Sequence, residues 1–210
     1  MKHEWKKEEK KLYLPKQKPE LVEVPKLKYF LISGNGNPNN NPEFGEKIGV
    51  LYSLSYAVRM MPKNNFTPEG YFEYTVYPLE GVWDLSEEGI RLDYLSKDEF
   101  VYTIMIRQPD FVNEDVVERA FHAVNKKKPN EFLNDVSFDT VEDGLCVQMM
   151  HVGPFDDEPR SFLQMKQFIE ENSLERASMT HREIYLSDFR KAQPEKLKTV
   201  LRYKVRKYEF

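Results

Sequence analysis

One cysteine in 210 residues, Cys146, leaves no partner for an intramolecular disulfide. A lone thiol fits a reducing cytosol and packs there as a small hydrophobe. Long apolar runs are missing too: no stretch approaches the roughly 20 residues that a membrane span needs. The start, Met1-Lys2-His3-Glu4-Trp5-Lys6-Lys7, carries charge where a signal peptide carries its apolar region. A cytoplasmic protein with no membrane partner is the expectation. Basic charge is not in excess, with 31 Lys and Arg against 35 Asp and Glu and a formal net charge of -4. That balance lacks the footprint of a nucleic-acid surface, so no nucleic-acid partner is expected. The four histidines, His3, His122, His151 and His181, are scattered, with no two-histidine helical spacing. Neither a metal nor any other cofactor is expected. No nucleophile elbow supports a Ser-His-acid triad. Gly34-Asn35-Gly36 follows a β-rich run, but its spacing fits neither the dinucleotide nor the P-loop pattern.

What is present suits a folded domain. The chain has 40% hydrophobic and 31% charged residues, and its length allows one large domain or two small ones. Aromatic residues reach 13%, with twelve Tyr and fourteen Phe, which suits either a plain core or a cleft that stacks on flat molecules. Residues 1–20 mix Lys and Glu before Pro15 and Pro19 and predict a charged N-terminal arm. Strands are predicted near Val22–Ile32, Tyr71–Tyr77, Leu79–Trp83, Phe100–Ile106, Phe132–Phe138, Leu145–Val152, Thr180–Asp188 and Leu197–Val205. Helices are predicted from Phe44 to Met61, after an Asn113 cap, and after Asp156 or Asp157 with Pro159 in the first turn.

Strand, helix, strand, strand thus occurs twice, near 27–107 and 145–206, with a connector at 108–144. The expected fold class is α+β, with duplicated β-α-β-β modules forming one pseudo-symmetric domain over residues 21–210 and a central cleft. Within Thr180–Asp188, alternation places His181, Glu183, Tyr185 and Ser187 on one face. Arg182, Ile184 and Leu186 take the other. If Ile184 and Leu186 pack on helices, Glu183 and Tyr185 look into water or a cavity.

Several segments resemble the GyrI-like small-molecule-binding family, in its stand-alone form. They are Lys28–Pro38, Leu51-Tyr52-Ser53, Tyr77-Pro78-Leu79-Glu80-Gly81-Val82-Trp83, His151–Pro159, His181–Asp188 and Pro194–Arg202. The resemblance runs through essentially the whole chain, in order. It implies an SHS2-like, multidrug effector-binding fold whose central pocket holds a carboxylate, matching Glu183, that faces hydrophobic, aromatic or cationic ligands. Similar proteins have been assigned hydrolysis of the cyclopropane ring of DNA-alkylating natural products, a protective drug-resistance chemistry. Relatives fused to helix-turn-helix domains are multidrug regulators, and this chain has no room for that domain.

Opening a strained ring with water needs a base, a donor for the oxygen that gains charge, and a flat apolar slot. Glu183 is the candidate base, its pKa expected to rise by desolvation. Tyr185, on the same face, is the candidate donor. Trp83 and Tyr77 are candidate stacking walls or, equally, core aromatics. Tyr52 joins them as a ligand-binding candidate, and Glu80 is a second carboxylate candidate or a surface or turn residue. His151 reads as structural. The competing readings are a cyclopropane hydrolase, a non-catalytic drug-sequestering module and a gyrase-interacting protein, each a monomer or weak homodimer.

Overall fold

The computed structural model describes residues 2–208. Residues 1, 209 and 210, the outer ends of the expected arm and domain, lie outside the described residues. The fold is mixed α/β. In order come α1 (Trp5–Glu8), α2 (Lys10–Tyr13), β1 (Glu20–Asn35), α3 (Pro42–Arg59), β2 (Leu79–Leu85), α4 (Glu87–Arg91) and β3 (Phe100–Gln108). Then follow α5 (Glu114–Lys127), β4 (Ser137–Val152), α6 (Glu158–Glu171), β5 (Leu174–Arg176), β6 (His181–Tyr185) and β7 (Lys198–Lys207). These elements form two compact units, neither continuous in sequence. No helix among the described residues is long and apolar enough to cross a membrane.

The first unit holds Leu27–Leu79, Asp84–Val141 and the residues up to Glu4. Here β1 pairs antiparallel with β3, from Lys28 opposite Gln108 to Asn35 opposite Val101. Helices α3 and α5 pack together and begin where side chains can satisfy free backbone donors. Asn41 Oδ1 accepts from Glu43 N at 3.0 Å, and Asn113 Oδ1 accepts from Val116 N at 3.1 Å. Two predicted strands are corrected. Tyr71–Tyr77 forms only a single bridge, Tyr74 with His3, before β2 begins at Leu79. Its composition instead builds an aromatic cluster: Tyr71, Phe72 and Tyr74 pack against Phe111. Strand propensity reports packing as much as backbone preference, and a cluster satisfies it equally well. Phe132–Phe138 is mostly a 3₁₀ turn (Glu131–Asp135) capped by Asn130, and β4 starts only at Ser137.

The second unit holds Trp5–Lys26, Glu80–Trp83 and, among the described residues, 142–208. Its sheet runs β2, β6, β7, β4, all antiparallel, with β5 on the far end of β7. Opposed residues in such a sheet share a face. One row therefore reads Gly81, Glu183, Leu201, Met149, and the adjoining row, on the other face, reads Val82, Arg182, Arg202, Gln148. Helix α6 lies on the first of these faces, where its Met165 and Ile169 join Val147, Met149, Leu201, Tyr203 and Val205 in one apolar cluster.

This reverses the expectation that Ile184 and Leu186 meet the helix. The apolar residues of β7 and β4 choose the face, and Glu183 is carried under α6 with them. The opposite face is buried by charge pairing instead. Arg182 Nη1 donates to Glu80 Oε2 at 2.9 Å, while its Nε and Nη2 grip Asp143 at 2.7 and 3.1 Å. Lys204 Nζ adds a contact to Asp143 at 3.0 Å. Next in this layer, Arg202 donates to Gln148 Oε1 and to the Leu12 carbonyl, and Gln148 donates to the Lys11 carbonyl at 2.7 Å. Residues Trp5 and Tyr13 of α1 and α2 are buried, their rings 5.1 Å apart.

Candidate functional site

Strand parity sets the centre of the site. Glu183 and Tyr185, two residues apart on β6, project to the α6 face, and the Tyr185 hydroxyl donates to Glu183 Oε2 at 2.7 Å. That hydroxyl accepts in turn from Trp83 Nε1 at 2.7 Å, so the phenol is held on both sides. His181, the other residue of this parity, places Nε2 2.8 Å from Glu183 Oε1, and an Nε2-protonated ring donates there. Tyr185 and His181 are thus both directed at one carboxylate, and Trp83 acts on it through the phenol. Glu183 is 8% exposed, Tyr185 9% and Trp83 6%, while the His181 side chain is 25% exposed, so solvent reaches the constellation at the histidine.

Gly81 makes the arrangement sterically possible. A Cβ at this position would stand 2.7 Å from Trp83 Nε1 and 3.1 Å from Tyr185 Oη. Gly81→Ala is expected to push the indole off the phenol and to cost roughly 1–3 kcal/mol by overpacking. A lowered urea midpoint, together with a shifted Trp83 emission read against a Trp83→Phe control, checks this.

Aromatic rings wall the group. Phe155 meets Tyr185 edge-on at 6.0 Å, and Phe189 lies 5.7 Å from Tyr185 and 6.1 Å from Phe155. On the other side Phe162 of α6 stacks on Tyr203 at 5.3 Å and stands edge-on to His181 at 4.9 Å. A residue that sequence reasoning passed over completes the set. Glu158, the first residue of α6, is 6% exposed and hydrogen-bonds Glu183. Burial first, then the charge of Glu183 and their shared hydrogen bond, push the Glu158 carboxyl up to about 10. It is therefore a neutral acid near pH 7. Tyr185 is likewise raised, by burial and by Glu183, and stays a phenol. No sequence signal separates Glu158 from the solvated acids Asp156 and Asp157 before it, because a carboxylate in a first helical turn is ordinarily a dipole partner.

The remaining candidates have other partners. Glu80 is neither a turn residue nor beside Glu183: it is 1% exposed, on the opposite sheet face, bound to Arg182. Tyr77 and Tyr52 belong to the first unit. There Tyr77 is buried beneath the Arg107 guanidinium at 4.4 Å, and Tyr52 packs near Tyr56 with ring centroids 6.4 Å apart. His151 donates from Nε2 to the Pro154 carbonyl at 3.1 Å and pairs through Nδ1 with Ser161 at 2.9 Å, a structural role. Burial pushes the Cys146 thiol up to about 12, which keeps it unreactive. Among the described residues no group of three or more His, Cys, Asp or Glu could hold a metal. An open groove of about 680 Å³ on the second unit is lined by Lys6, Leu14, Val152, Leu186, Ser187, Glu195, Lys196 and Lys198, none of which belongs to the Glu183 constellation. Among the described residues, two carboxyl groups, a phenol, an imidazole and aromatic rings converge around Glu183 and not in this groove.

Comparison with known proteins is consistent across the chain. The family model of the GyrI-like small molecule binding domain matches residues 17–206. A hydrolase from Listeria innocua is 41% identical, with 98% of this chain and 100% of that one covered and a TM-score of 0.89. An uncharacterized conserved protein from Listeria innocua is 42% identical over the same shares, also with a TM-score of 0.89. The C-terminal domain of EcmrR, 15% identical, shares the fold at a TM-score of 0.52 over 90% of this chain and 98% of that one. No curated protein matches the sequence.

Proposed function

The chain belongs to the GyrI-like small-molecule-binding family, and from that premise we propose that it binds hydrophobic, aromatic ligands against Glu183 and hydrolyses a strained ring in them. The observation that carries this reading is a buried carboxylate held by a phenol, an imidazole and a carboxylic acid within aromatic walls. The substrate class is a cyclopropane conjugated to a carbonyl, as in DNA-alkylating natural products, and the role is protection against them. Similarity to a Listeria hydrolase supports an enzyme over a mere binder.

The residues divide the work by chemistry. Glu183 takes a proton from water as the water oxygen bonds to a ring carbon and the strained C–C bond breaks. The electron pair of that bond passes through the conjugated system to the carbonyl oxygen, which stays bonded to its carbon and becomes a hydroxyl on gaining a proton. Tyr185 is the donor on the same strand face, and its proton must first leave Glu183. Trp83 orients that phenol from behind. General base help of this kind is typically worth about 10²–10⁴-fold. Phe155 and Phe189 abut Tyr185 and must turn aside for a ligand to enter. We further read residues 21–210 as the binding domain, 1–20 as an arm, and the recurring strand-helix-strand-strand order as an internal duplication.

The test mixes purified protein, at a hundredth of the ligand concentration, with a cyclopropane-bearing alkylator and follows loss of its conjugated chromophore. Complete conversion supports the hydrolase. A plateau at one equivalent leaves sequestration alone, and an unchanged spectrum without binding overturns both.

A further inference from the structure

The groove of about 680 Å³ on the second unit takes no part in the hydrolytic scheme. Its walls are the end of β4, the residues that follow β6, the turn Pro194–Lys196 and the start of β7, with α1 and Leu14 alongside. Backbone bonds tie these walls together: Leu186 N donates to the Lys198 carbonyl and Gly153 N to the Leu197 carbonyl, each at 3.0 Å. Lys198 N in turn donates to Ser187 Oγ at 3.2 Å. The groove is thus built into the end of the sheet, and its volume falls in the range of small-molecule sites, about 300–1,000 Å³.

Its lining divides by chemistry. Leu14, Val152 and Leu186 supply apolar surface, and Lys6, Lys196 and Lys198 supply three ammonium groups against the one carboxylate of Glu195. Positive charge is therefore in local excess in a chain whose net charge is -4. Other lysines find acids: Lys26, Lys47, Lys166, Lys191 and Lys204 each stand within ion-pair distance of a carboxylate. Among the described residues none of the three groove lysines makes such a pair. The Lys6 ammonium lies over the Trp5 ring at 5.1 Å, and that ring is buried against Tyr13. We propose that this groove binds an amphiphilic organic anion, its apolar body on Leu14, Val152 and Leu186 and its carboxylate, sulfonate or phosphate group among the three lysines. Each lysine carries its charge on an apolar stem, which covers the edge of such a body while the head meets the acid group. Charge complementarity selects the occupant: a cation of the same shape meets three like charges, and a neutral molecule leaves the ammonium groups unanswered. The site is distinct from the Glu183 constellation, whose carboxylate repels the same anion, so the two positions sort ligands by charge.

Fluorescence titration with anilinonaphthalene sulfonate, an aromatic monoanion that brightens in apolar surroundings, tests this, with phenylnaphthylamine as the same body without the sulfonate. The expected result is saturable binding of the sulfonate at one site per chain, weakened by added salt. A variant carrying Lys6→Gln, Lys196→Gln and Lys198→Gln should bind it roughly tenfold more weakly, the product of three exposed charge contacts of about two- to threefold each. Removing as many charges from the end of α5, by Lys126→Gln, Lys127→Gln and Lys128→Gln, should leave binding as in the parent, and so should Glu183→Gln. Equal affinity in the parent and the groove variant overturns the proposal, as does absence of binding to the parent or equally tight binding of the uncharged amine. Loss of the sulfonate in Glu183→Gln also overturns it, by placing the probe at that carboxylate. Should the groove variant not fold, the salt dependence and the contrast between the two probes on the parent decide alone.

Discussion

Glu183→Gln is expected to lower turnover of a cyclopropane-bearing alkylator by about 10²–10⁴-fold, the range for loss of a positioned general base, with binding changed only a few fold. The amide keeps the shape of the carboxylate and one acceptor for the Tyr185 hydroxyl. It cannot take a proton from water. Glu183→Leu goes further, because it removes the acceptor for Tyr185, His181 and Glu158 together. Each buried donor left unsatisfied costs about 1–3 kcal/mol, so the leucine variant loses binding and stability as well. Steady-state rates and ligand titration on the three proteins separate the two effects. Parent-like turnover in both variants removes Glu183 from the chemistry.

The second large effect lies on the opposite face of the same sheet. Arg182→Met is expected to destabilise the fold by roughly 3–5 kcal/mol, the usual penalty for breaking a buried ion pair from one side. Glu80, Arg182 and Asp143 have side chains 1%, 5% and 4% exposed, so solvent cannot replace the guanidinium. In the parent, burial raises the Asp143 carboxyl, but the charge and hydrogen bonds of Arg182 and Lys204 outweigh it and hold the group below its usual range. A depressed carboxyl contributes stability above its unfolded value and loses it as pH falls through the folded one, here below about pH 4. In the variant the same burial acts with weaker opposition, so Asp143 moves upward and the fold gains stability on its protonation. The gap between parent and variant should therefore be widest near pH 7 and narrow on acidification, as denaturant midpoints at several pH values would show. A gap that does not change with pH would remove the electrostatic explanation.

Parity on one short strand made much of the site legible: it alone joins His181, Glu183 and Tyr185. Helical stripes likewise marked α3, α5 and α6, joined by the Asn113 cap for α5 and Pro159 in the first turn of α6. The side of the sheet that a helix covers was not legible on β6. Ile184 and Leu186 pointed one way, but Leu201, Tyr203 and Met149, on other strands, outweighed them. Glu158 escaped because its partner lies 25 residues on, and a helix-start acid looks alike whether solvated or buried. Glu80 escaped for a similar reason, since its burial depends on Arg182 across the β2–β6 pairing. Tyr71–Tyr77 misled because aromatic residues satisfy strand and cluster alike.

The four residues Glu80–Trp83 belong to the second unit although both their chain neighbours belong to the first. A gene fragment encoding only the C-terminal third would thus lack the strand beside β6. It would present an open row of backbone donors and acceptors there, inviting edge-to-edge association. The fragment would also lack the indole that steadies Tyr185. Dissecting this molecule into halves by truncation therefore cannot yield a self-contained site, whereas a circular permutant that retains every strand can.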